Sequence, residues 1–113
     1  MQIKVSDFYV ALQDFVPGNC FVVISVTPVY EYVDGKKTEK IIATKYTVAD
    51  AKTYKNLDVR VNKPKALITS EMIESSEERF FVSFQNAVLH PYRIEYGNVL
   101  CSIVADDIQI IKH

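Results

Sequence analysis

Three kinds of hydrophobic spacing run along this 113-residue chain. In residues 6–16, Phe8, Leu12 and Phe15 recur at i, i+4 and i+7, which predicts one apolar face of a short helix. Ser6 or Asp7 would cap it by accepting a hydrogen bond from a first-turn amide. Pro17, Gly18 and Asn19 would stop it. Residues 20–33 are dense in β-branched and aromatic types and predict a long strand. Pro28 lacks an amide donor, so it marks an edge or a bulge there. Residues 38–49 predict its hairpin partner. Residues 56–62 alternate cleanly, with Leu57, Val59 and Val61 inward and Asp58, Arg60 and Asn62 outward.

Asp34 and Gly35 mark the turn of the long hairpin. A three-residue loop of Val33, Asp34 and Gly35 would set the glycine in a bulged, left-handed position. It would pair Val26 with Ile42, Ile24 with Thr44 and Val22 with Tyr46, and turn Lys45 and Thr47 to the other face. A two-residue turn would set Ile24 opposite Lys45. A one-residue slip exchanges faces, so the three-residue loop is the expectation.

Further on, residues 70–77 predict a short helix with Ser70 as cap and Glu71 near its positive end. Residues 80–94 form two strand-like pieces divided near Gln85 and Asn86. Gly97 and Asn98 turn the chain, and residues 99–111 predict a last strand bent at Asp106 and Asp107. The order is helix, long hairpin, third strand, short helix, hairpin. It predicts a mainly β single domain, an OB-like five-stranded Greek-key barrel over 20–111 with residues 1–19 as helix and turn.

Charge changes this picture more than composition does. Nine of the thirteen basic residues fall within 36–65: Lys36, Lys37, Lys40, Lys45, Lys52, Lys55, Arg60, Lys63 and Lys65. With Glu39, Asp50 and Asp58 the window carries +6, against −3 before it and −4 after it. A polyanion is the partner such a segment attracts best. On the predicted strands, Lys45 and Arg60 share the outer face of the second and third strands. Lys36, Lys37 and Lys40 lie at the hairpin end, Lys52 and Lys55 flank the next loop, and Lys63 and Lys65 follow the third strand. The outer face of these strands and the loops beside it hold single-stranded nucleic acid in OB-folds.

Such binding also uses aromatic platforms. Tyr54, inside the basic loop, is the first candidate; Tyr30 and Tyr32 lie near the hairpin tip. Tyr46 is predicted to point inward. Tyr92 and Tyr96 flank the last turn as platforms or as packing groups. The plain alternative is that the lysines solubilise exposed strands and guard their edges.

Catalytic chemistry finds little support. The two histidines are His90 and His113, and neither Cys20 nor Cys101 has a histidine nearby in sequence. These three positions show no metal-ligand spacing, and the three glycines form no phosphate loop. The expectation is therefore a non-enzyme with no cofactor. Asp106 and Asp107 read as solvated carboxylates rather than cation ligands. Glu71, Glu74, Glu77 and Glu78 form either a solvated helix face or an acidic surface for a basic protein partner. Met1–Phe15 is interrupted by Lys4, Asp7 and Asp14, unlike a secretory leader, and no apolar run reaches the length of a membrane span. A cytoplasmic protein with both thiols reduced is expected; a Cys20–Cys101 disulfide would need two strands to bring them together.

Four pieces of the chain also resemble a known group. They are residues 46–48 (YTV), 57–74 (LDVRVNKPKALITSEMIE), 81–98 (FVSFQNAVLHPYRIEYGN) and 105–108 (ADDI). They are similar to small accessory proteins carried by integrative and conjugative elements, and related phage-like elements, of Gram-positive bacteria. The resemblance implies a non-enzymatic role in element DNA processing or transfer, of the kind in which some relatives assist a helicase. It brings no binding residue with it. Two functions follow as expectations: binding of single-stranded DNA without strong sequence preference, or an adaptor that docks to a helicase, a relaxase or other transfer machinery.

Overall fold

A computed structural model describes residues 9–16 and 18–111. The predicted caps Ser6 and Asp7, together with Phe8, Pro17 and the side chain of Phe15, lie outside the described residues. The elements are β1 (Val10–Ala11), α1 (Leu12–Phe15), β2 (Phe21–Val33), β3 (Lys36–Asp50), β4 (Asn56–Val61), α2 (Ser70–Ser75), β5 (Phe81–Gln85), β6 (Val88–Glu95), β7 (Asn98–Ala105) and β8 (Asp107–Ile110). The chain is mainly β, as expected. The strands form one eight-stranded sheet in the order β1-β6-β7-β4-β3-β2-β5-β8, in place of the five strands expected.

The higher strand number has a physical origin. The last hairpin breaks near Asn86, where φ is +52°, and at Asp106, so each of its long arms becomes two strands. The breaks fall where the sequence predicts them. The inner half, β5–β8, joins β2 through Phe21↔Val82, while the outer half, β6–β7, joins β4 through the parallel register Val59↔Ile103. One bent hairpin thus serves both sides of the β2–β3–β4 meander. Val10 and Ala11, expected to be helical, instead pair with Leu89 and Val88.

The long hairpin departs from the predicted register. Its turn is two residues long, with Val33 opposite Lys36 and left-handed Asp34 (φ +52°) and Gly35 (φ +77°) between them. That is the type I′ geometry, whose twist matches the strands. Bulges between Val23 and Ser25, and between Val29 and Tyr32, then shift the ladder so that Val26 faces Tyr46. The bulge exposes Ile24 and leaves Phe21 and Val23 as the buried positions. The two-residue turn, set aside in favour of a three-residue loop because it would place Ile24 opposite Lys45, is compatible with an outward Lys45 because the bulges change the register along β2.

The inner face gathers Phe21, Val23, Tyr46, Val48, Val59, Val61, Val82, Phe84, Leu89, Ile103 and Ile108 into one core with Leu12, Val16 and Ile68. Phe84 lies between Phe21 and Tyr46, with ring centroids 5.5 and 6.4 Å away. Burial of each such side chain stabilises by roughly 1.5–3 kcal/mol. Tyr46 is 1% exposed, and its hydroxyl accepts a hydrogen bond from the Leu67 amide at 3.0 Å. Desolvation raises the pKa of that phenol.

Before β2, Asn19 accepts from the Phe84 amide (3.1 Å) and donates to the Phe84 carbonyl (3.2 Å). Its side chain thereby acts as a short strand partner for β5. Helix α2 is capped by Thr69, one residue before the expected Ser70; its hydroxyl accepts from the Met72 amide at 3.2 Å. Ser70 instead donates to the Val26 carbonyl at 3.1 Å and ties the helix to β2.

Candidate nucleic-acid interface

Alternation on β3 and β4 decides which side chains face outward. Thr44 and Tyr46 are buried on either side of Lys45, and Val59 and Val61 on either side of Arg60. Lys45 and Arg60 therefore leave the opposite face, and they are direct Cα partners across the two strands. Thr27 of β2 and Val104 of β7 extend the same row across four strands. Neither cation makes an ion pair among the described residues. Arg60 instead donates from Nε to Asn62 Oδ1 at 2.8 Å. One step along, Thr47 donates to Asp58 Oδ1 at 2.6 Å, so one acid borders the row. Like charges placed directly opposite destabilise a sheet, and here two cations face each other with one acid beside them and no ion pair among the described residues.

The other basic residues divide between distant places. Strand β3 has 15 residues, which at about 3.3 Å each is about 50 Å long. Lys36, Lys37 and Lys40 lie at its start, and Lys52 and Lys55 just beyond its end. The basic window is therefore not one face. At the start, Lys37 Nζ sits 4.2 Å from the centroid of the Tyr30 ring, and Lys40 Nζ is 4.0 Å from Glu31 Oε2. Both contacts are exposed and weak. After β4, Lys63 Nζ pairs with Asp107 Oδ2 at 2.9 Å and holds that carboxyl below its ordinary range. Lys65 is exposed on the rim of an open cleft of about 610 Å³ floored by Tyr46, Val61 and Leu67.

The loop after β3 is built around Asp50. This aspartate is 2% exposed. Its carboxylate accepts from the Thr53 hydroxyl at 2.6 Å and the Thr53 amide at 2.7 Å. Its carbonyl accepts from the Tyr54 amide at 2.8 Å, and its own amide donates to the Lys55 carbonyl at 2.9 Å. The Thr53 bonds lower the pKa of Asp50 against the opposing effect of burial. The loop so fixed presents Tyr54 at 80% exposure.

The parallel pairing of β4 with β7 brings a second projection to this end of the sheet. Asn56 opens β4 and Asn98 opens β7, so the turn before β7 lies at the same end as the Tyr54 loop. Its hairpin carries exposed Tyr92, Ile94 and Tyr96. The last turn is Tyr96-Gly97, one residue earlier than predicted, with Glu95 opposite Asn98. Arg93 adds a cation there, paired with Glu95 at 3.0 Å. Neither Arg93 nor Ile94 stands out by sequence; the period-2 pattern leaves open which hairpin ends protrude.

Glu71, Glu74, Glu77 and Glu78 are all exposed on or beside α2, and none makes an ion pair among the described residues. His90 is exposed, and Cys20 and Cys101 are half-buried. Among the described residues no group of three or more His, Cys, Asp or Glu is placed to hold a metal ion, and no helix is long and apolar enough to cross a membrane. Comparison with protein-family models, with curated proteins and with solved structures finds no match.

Proposed function

We propose that this protein is a non-enzymatic, cytoplasmic factor that binds single-stranded DNA without strong sequence preference, on an OB-like barrel. The barrel reading is supported by connectivity. Joining β5 to β6 and β7 to β8 leaves five long arms, with α2 between the third and fourth, a parallel third-to-fifth pair and an antiparallel first-to-fourth pair. These connections are what support reading the eight-stranded sheet as a Greek-key barrel with divided strands. The role in mobile-element DNA processing rests on the resemblance carried by residues 46–108.

One observation carries the binding proposal: the Lys45–Arg60 pair on the outer face of β3 and β4, two cations directly opposite each other with no ion pair among the described residues. Phosphates are the ligand that removes its self-repulsion, and such contacts carry no base information. Fluorescence anisotropy with labelled oligonucleotides at two salt concentrations tests it. Affinity is expected to fall as salt rises, and the Lys45→Ala/Arg60→Ala variant to lose about 0.7 of salt slope per side chain. A folded double variant with unchanged affinity and slope removes this face from the proposal.

The second reading is an adaptor for a helicase or relaxase. It is supported by the four exposed glutamates around α2, a surface for a basic partner. Wild-type protein that ignores oligonucleotides at low salt would favour it.

A further inference from the structure

Among the described residues, five non-glycine positions have left-handed backbone: Asn19, Asp34, Tyr54, Asn86 and Tyr96. Three are Asn or Asp, the types that enter this region most readily. The other two are tyrosines, at φ +62° and +50°. Both are among the most exposed side chains described, Tyr54 at 80% and Tyr96 at 101%. Both stand at the same end of the sheet, because β4 and β7 run parallel. Asparagine would serve either turn with less strain. A bulky ring held in solvent on an unfavourable backbone is a local conflict of the kind that collects at functional sites.

The surroundings define the ligand. Tyr54 sits between Lys52 and Lys55 in sequence, and Tyr96 lies on the hairpin that carries exposed Tyr92 and the Arg93–Glu95 ion pair. Exposed π-faces among cations suit unstacked bases joined by phosphates. We propose that Tyr54 and Tyr96 are the base-stacking platforms of this protein, and that they make it selective for single strands over duplex. This rests on the single-stranded DNA reading above and adds a second site to it. Lys45 and Arg60 hold the backbone, while the two rings hold bases, which a duplex keeps stacked within itself. The buried Asp50 network serves the site by fixing the loop before any ligand arrives.

The test uses Tyr54→Asn and Tyr96→Asn, because asparagine keeps the left-handed turn. Each variant is expected to melt at or above the wild-type temperature. Each is expected to bind an oligothymidylate about tenfold or more weakly, with an unchanged salt slope. Tyr54→Phe and Tyr96→Phe should retain affinity, since a ring suffices. The chain has no tryptophan, so tyrosine emission reads the contact directly: the oligonucleotide should quench it, and the asparagine variants should show less quenching. An oligomer of the same length made of abasic sites should bind the wild type and the asparagine variants alike.

Wild-type binding that survives both asparagine substitutions overturns the stacking proposal and leaves the phosphate-binding face standing. Equal affinity for duplex and single strand overturns it as well. Failure of the wild type to bind any oligonucleotide at low salt overturns both.

Discussion

At the β2–β3 turn the left-handed positions are held by Asp34 and Gly35; at the opposite end of β3 one falls to Tyr54, and on the neighbouring hairpin Tyr96 takes the place beside Gly97 that Asp34 takes beside Gly35. The first turn uses residues suited to its geometry and projects charged side chains with weak local partners, Lys37 on Tyr30 and Lys40 near Glu31. The second end puts tyrosines at such positions, and in the Tyr54 loop the buried Asp50 carboxylate holds Thr53 beside the ring. Lysines occur at both ends, so charge alone does not separate them. The difference lies in how the backbone is treated. A turn shaped only to reverse the chain takes the residue of least strain, and a turn that must present a given side chain takes that side chain and is braced.

The contrast is broken most strongly at the brace. Asp50→Ala removes two hydrogen bonds to a charged acceptor and is expected to destabilise by about 2–3 kcal/mol in chemical denaturation. Its oligonucleotide affinity should fall with it, because Tyr54 loses its fixed position. Asp50→Asn gives the same contrast in pH. The folded carboxyl titrates below its unfolded value of 3.8. Its stabilisation is therefore complete above that value and disappears as pH falls through the lower folded one. Melting curves of wild type and Asp50→Asn should differ at pH 6 and converge in strong acid, while acid sensitivity from the Asp107–Lys63 pair remains in both.

At the other end the expected effects shrink. Gly35→Ala meets no atom within 4 Å but must adopt φ +77°, a change of about 1 kcal/mol measured by denaturation. Oligonucleotide affinity should stay within twofold of wild type. Smallest of all is Lys40→Ala. An exposed pair at 4.0 Å contributes under about 0.5 kcal/mol, so a stability loss above 1 kcal/mol would show that the tip is braced as well.

Much of the fold is legible from residue types alone. The alternation over 56–62 places Val59 and Val61 in the core and Arg60 outside it, as found. Lys45 faces outward as expected, although the pairing used to place it was wrong. Gln85 and Asn86, with Asp106, mark the breaks in the last hairpin because they interrupt runs of β-formers. What escaped was nonlocal. The bulges in β2 depend on how Phe21 and Val23 meet the core, so local turn chemistry set a register that the rest of the sheet overrides. Val10 and Ala11 look helical until a strand nearly eighty residues later offers an edge. The basic window was legible as charge, but its spread along β3 follows from strand length. Asp50 counted only as one acid among three. Its burial, and the backbone angles of Tyr54 and Tyr96, leave no mark in composition or period.

The bent last hairpin also sets a timetable. The β2–β3 hairpin joins neighbours in sequence and can close as soon as both arms exist. The parallel contact of Val59 with Ile103 and the pairing of Val10 with Leu89 must wait for residues made much later. Until then Phe21, Val48 and Val59 have no second wall, and the outer edges of β2 and β4 are open to any passing strand. A newly made chain is therefore most prone to sticking just before residues 81–110 emerge, and the segment that completes the sheet is also the one that ends that exposure.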